Sequence, residues 1–223
     1  MKSPTAWSLS DLKQHIRAHR PDAKPLLNVI ESLGRAELIF NYHFYAARDA
    51  LKIFVGDGEV DHINVIKALL GEADRIETNL AYIRSEAHLT ACIHTVRGSL
   101  DIFSNLINAL LLEERIPLHV CDIYKAHQAL GESPLKAQLG ALLGSSWFTY
   151  MSGLINVTKH RQLVRHEVAV SMEENRSGVR IGSFEYKGKA FPAYWGIEVL
   201  TGVLEVKNTF VACGRTLNAE CIA

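Results

Sequence analysis

Apolar side chains recur at every third or fourth position along most of this chain, the pattern of amphipathic helices. From Leu26 the series Leu27, Ile30, Leu33, Leu38, Phe40, Phe44, Ala47, Leu51 and Phe54 predicts a helix to about Val55. The sequence GDGEVDH (56–62) breaks it. A second helical stretch starts near Asp61, with a pause at Gly71, and a long helix follows over about 72–113, ended by Pro117. Ahead of these, residues 1–25 are polar and read as a short amphipathic helix near 8–19 and a linker. Residues 118–131 read as a short helix. Ser133-Pro134 opens another, with serine as N-cap and proline at the first helical position. Ser145 or Ser146 starts a further helix to about His160.

The period then changes from helical to alternating. EVAVSM (167–172) and VRIGSFEYKGKAF (179–191) alternate, with turns at ENRSG and at Tyr186-Lys187-Gly188-Lys189. This predicts a β-hairpin with a third short strand. Pro192 ends it, and a last helix is expected over about 194–216. The expected fold is mainly α: an up-and-down bundle of about four long helices with a small β-hairpin insertion before the last one. Its organisation is a short helix and linker over 1–25 and one domain over 26–223, with the insertion at about 166–191.

One helical stretch, 89–112, is apolar nearly all round but carries a single polar stripe of His94, Arg97, Asp101, Asn105 and Asn108. The spacings of three and four keep these five within about a quarter-turn of one another. Buried polar groups need partners, because an unpaired one costs about 1–3 kcal/mol. The stripe therefore marks either a closed polar seam that fixes helix register or the lining of a cleft.

A second cluster lies in INVTKHRQLVRH, which holds Asn156, Lys159, His160, Arg161, Arg165 and His166. Arginine grips phosphate through paired donors, and histidine titrates near neutrality, so the two suit phosphoryl chemistry. Equally, cations in a last helical turn complement the helix dipole. The chain as a whole has no net charge, with 24 basic and 24 acidic residues, which argues against a broadly basic nucleic-acid binder and leaves room for a local basic site.

Other chemistry finds no footing. There is no HExxH, no pair of ExxH motifs, no glycine-rich phosphate loop and no GxSxG, so no metal or cofactor is expected. The four cysteines form no CxxC pair and read as reduced thiols. The N-terminal residues lack an apolar secretory core and no stretch reaches the roughly 18 apolar residues of a membrane span, so a cytoplasmic protein with no membrane association is expected.

Arg161-Gln162-Leu163-Val164-Arg165-His166 has the form Arg-x4-His, and RGSLDIFSNLINALLL (97–112) is a polar-striped helix. In these two segments the chain resembles the HEPN superfamily over about 26–215. The resemblance implies an up-and-down helical bundle, often a homodimer. It also implies a metal-independent endoribonuclease of the kind found in toxin–antitoxin and other defence systems. RNA or a nucleotide would be the partner. Arg161 would stabilise charge on phosphate and His166 would serve as general base or acid. Lys159 and His160 would position the backbone, and Asp101 or Asn105 would orient one of these groups. Two readings from other classes stand beside it. One is a non-catalytic dimeric scaffold with a closed stripe. The other is a bundle that holds a small molecule or nucleotide, with Arg97 and Lys159 on an anion.

Overall fold

A computed structural model describes residues 6–54, 65–66, 70 and 75–222. The expected break at 56–62, and the helical start and pause expected near Asp61 and Gly71, lie outside the described residues. The fold is mainly α, with a small antiparallel strand cluster before the last helix. Its helices are α1 (Leu9–His19), α2 (Lys24–Lys52), α3 (Arg75–Leu111), α4 (Ile123–Ala129), α5 (Pro134–Gly144), α6 (Ser146–His160) and α7 (Gly196–Ile222). Four are long, as expected. Three shorter ones bring the count among the described residues to seven. The stretch expected as one helix over 118–131 is instead a 3-10 turn at Leu118–Val120 followed by α4. Asp122 separates them, because its carboxylate caps the Lys125 N–H and starts a new helix.

The chain divides into two compact units. The first comprises Met1–Ile39, Thr95–Thr149 and Leu204–Ala223. Ser8 caps α1 and Ser133 caps α5, the latter with Pro134 in its first turn. Leu12, Ile16, Ile30, Leu100, Phe103, Leu106, Leu139 and Leu217 make its interior. Trp7 meets Phe103 and Phe210 edge-on, at 5.4 and 5.9 Å between ring centres. Its indole N–H donates to Asn218 Oδ1 at 2.9 Å, and Asn218 Nδ2 donates to the Ser8 carbonyl at 2.8 Å. Gly214 makes room for that ring, since a Cβ there would strike the Trp7 indole. The end of α3 is closed by two residues in the left-handed region, Glu113 and Glu114, and by a Glu114 N–H bond to the Asn108 carbonyl.

The second unit comprises Phe40–His94 and Tyr150–Val203. Strands β1 (His166–Ser171) and β2 (Arg176–Ile181) pair antiparallel from His166↔Ile181 to Ser171↔Arg176. The turn between them is 172–175, ahead of the expected ENRSG, because Arg176 and Ser177 already pair. Asn175 takes the left-handed conformation that the turn needs. Strand β5 (Tyr194–Trp195) adds to the free edge of β2. Strands β3 (Phe184–Tyr186) and β4 (Lys189–Phe191) form a separate hairpin. Lys187 and Gly188 are both left-handed, as a two-residue primed turn requires. Glu198 reaches back to the Trp195 N–H at 2.9 Å and closes the start of α7.

Candidate functional site

Within the second unit, one turn of α3 after another faces α6 and the first residues of β1. Tyr82, Glu86, Thr90 and His94 recur at every fourth position and so share one side of α3. Glu86, Thr90 and His94 line a pocket of about 50 Å³, together with Leu89, Ile93, Leu154, Ile155, Thr158, Leu163, Val164, His166 and Ile181. A space of that volume takes a water molecule or one polar group of a larger ligand, and does not enclose a drug-sized molecule.

His166 is buried and heads β1. Its Nε2 lies 2.9 Å from Ser85 Oγ. The Ser85 hydroxyl donates its single proton to the Tyr82 carbonyl at 2.7 Å, so it accepts from His166 Nε2–H. Nδ1 is thereby the basic nitrogen of the ring. The Tyr82 hydroxyl donates to the His166 carbonyl, and the two rings meet edge-on at 5.4 Å. Burial pushes the His166 imidazole down to about 4, so it is neutral at pH 7. Burial also holds His94 below the ordinary histidine value, and the positive charge of Lys159 adds to that. Glu86 is held above the ordinary carboxylate value by burial. Burial likewise raises the Tyr82 phenol, helped by Glu86 and Glu167.

Of the residues singled out from the sequence, His94 and His166 therefore share one pocket, and Lys159 is close enough to act on His94. Arg161 does not line that pocket. It is exposed, donates to the Glu185 carbonyl at 3.3 Å and lies over the Tyr186 ring, 5.8 Å from its centre. Arg165 pairs with Glu167 at 2.6 Å. His160 and Lys159 are exposed at the end of α6. Asn156 bonds back to the Ser152 carbonyl within α6.

The rest of the stripe belongs to the first unit. Arg97 and Asp101 pair with each other one turn apart, and Arg97 lies 5.7 Å from the centre of the Tyr124 ring. Asn108 is fully buried and holds the chain that leaves α3: its Nδ2 donates to the Ile116 carbonyl at 2.8 Å, and Ile116 N–H donates to its Oδ1 at 3.1 Å. The buried Asn105 Oδ1 has no hydrogen-bond partner among the described residues.

Ser85, Tyr82 and Glu86 escape a reading of the sequence. The four-residue recurrence of Tyr82, Glu86, Thr90 and His94, which extends the polar stripe toward the N-terminus of α3, would have found Tyr82 and Glu86 but not Ser85. Among the described residues, no group of three or more histidine, cysteine, aspartate and glutamate side chains could hold a metal ion. No helix there is long and apolar enough to cross a membrane. Compared with known protein families, with curated proteins and with solved structures, the chain matches none.

Proposed function

We propose that this chain is a HEPN-like protein that holds RNA by its phosphates at the end of α6 and cuts it without a metal. One observation carries the reading: His94 and His166, from different elements, line a single pocket beside Lys159. The pocket is too small for a base, so the RNA backbone lies across its mouth. Lys159 and Arg161 are the cations for phosphate, with His160 beside them as a further hydrogen-bonding group. Arg161 has an exposed side chain on a long hydrogen bond, which lets it swing from Glu185 onto an anion.

Burial takes His166 far below neutral pH and its Nε2 is engaged by Ser85, so it is not the base. In this reading His94 takes the proton from the 2′-hydroxyl as the 2′-oxygen bonds to phosphorus. The bond to the 5′-oxygen breaks, water protonates the leaving oxygen, and Arg161 balances charge on the phosphate. His166 fixes the wall of the pocket through Ser85. RNA and a second copy of the chain are the partners, and a cytoplasmic site of action accords with reduced cysteines.

The test is cleavage of a mixed RNA pool in EDTA by wild type beside His94→Ala and Arg161→Ala. Cleavage by wild type alone, leaving 2′,3′-cyclic phosphate ends, supports the reading. Absence of both binding and cleavage overturns it. A second reading, a non-catalytic scaffold that associates through its helices, is favoured by a different observation: Tyr42, Tyr45, Ile53, Ile76, Leu80 and Ile83 in the second unit are large, apolar and exposed.

A further inference from the structure

The exposed apolar side chains of α3 are not scattered. Ile76, Leu80, Ile83 and Ala87 are all exposed, at spacings of four, three and four. Ile76 is 73% exposed, Leu80 43% and Ile83 58%. Alternating four- and three-residue spacing of apolar groups is the seam by which one helix packs along another. Beside this seam α2 and α3 border an open groove of about 710 Å³, with Ala46, Ala50 and Ala81 among its small side chains and Ile53 and Leu80 among its large ones. A helix can therefore lie close to both.

Charge decides what lies there. Glu77 and Arg84 flank the seam on the same side, one heptad apart, and both are exposed. When a helix packs against its own copy in antiparallel, residues whose numbers sum to a constant face each other. Setting Leu80 against Ile83 of a second copy also sets Ile76 against Ala87, and residues on the flanks meet one step aside from these facing pairs. The same register brings Glu77 beside Arg84 of the second copy, twice over because of the two-fold symmetry. On the other flank of the seam Asn79 neighbours Glu86. A parallel arrangement would instead set Arg84 beside Asn79 and form no such opposite pair.

We propose that this face of α3 is the contact by which two copies of the chain associate, antiparallel about a two-fold axis between Leu80 and Ile83. The inference rests on the pairing of two copies named above and adds where and how they meet. Light scattering after size-exclusion chromatography of the full chain, over a range of concentrations, tests it. Wild type is expected to be a dimer and Ile83→Glu a monomer. Glu77→Arg makes both cross-pairs like-charged and weakens the dimer about tenfold or more. The double variant Glu77→Arg, Arg84→Glu restores opposite pairs and recovers the dimer. Circular dichroism checks that each variant keeps its helices, which substitution of exposed residues allows. A wild type that stays monomeric at every concentration overturns both the pairing and this face. A dimer indifferent to Ile83→Glu, or a charge reversal that the double variant does not rescue, overturns this face alone.

Discussion

Ser85 and His166, 81 residues apart in the chain, share a buried hydrogen bond of 2.9 Å between Oγ and Nε2. The bond ties the first strand to α3 and fixes the protonation state of the ring. The neutral imidazole donates to the serine, so its folded form has no use for a second proton.

Acid should therefore unfold the second unit through this histidine. Its value is about 4 in the folded chain and 6.5 when free. Between these values the unfolded chain binds a proton that the folded chain refuses, so stability rises with pH over this window. It is fully present above 6.5 and is lost as pH falls toward 4, by up to about 3 kcal/mol. His94 and His88, both shifted down by burial, act in the same direction. The measurement is thermal denaturation from pH 7 to 4 for wild type and His166→Gln. The variant is expected to show the shallower decline, and equal slopes would deny His166 this role.

Asn108→Ala removes the two bonds that hold Ile116 to α3. It leaves a backbone N–H and a backbone carbonyl without their partner and should destabilise the chain by about 1–3 kcal/mol. Urea denaturation measures this. If RNA cleavage is present, it should persist in this variant, because Asn108 serves the chain's path out of α3 and not the pocket.

Gly153→Ala should crowd the hairpin. A Cβ at this position would lie 3.0 Å from the Phe191 ring and 3.2 Å from that of Phe184. Those rings stack at 4.8 Å between centres, and Tyr150 abuts both. Overpacking of this kind costs about 1–3 kcal/mol. In the Phe191→Leu background the penalty of Gly153→Ala should shrink, and melting temperatures of the four proteins show whether it does.

Helices were legible in the sequence where local chemistry decides them. Ser133 marks a start by capping, and the apolar period carries α2 and α3 to within a few residues of their observed ends, whereas α7 runs on to Ile222, past its expected end near 216. Asp122 is a capping residue too, but its signal lies inside a stretch whose apolar period suggested one helix. The two-residue turn at Lys187-Gly188 was legible, because glycine there permits the backbone it needs. The addition of β5 to β2 was not, since pairing between distant strands leaves no periodic trace. Histidines 94 and 166 drew notice by type. Ser85, which decides the state of His166, reads as an ordinary helical serine until the strand that meets it is in place. Arg161 shows the opposite failure: its spacing from His166 suggested a pair, whereas the hairpin supplies it with Glu185 and Tyr186.

The Trp7–Asn218 hydrogen bond spans 211 positions and joins the first and third chain segments of one unit. Loop closure over such a distance is slow, and contacts of this kind form after local helices. A ribosome makes Asn218 211 residues after Trp7. During that interval the pocket beside Gly214 does not exist, and the indole, Leu12 and Ile16 await the last helix. The earliest part of this unit to be made is thus among the last to be finished, and the exposed apolar surface of the nascent chain is what a chaperone would meet.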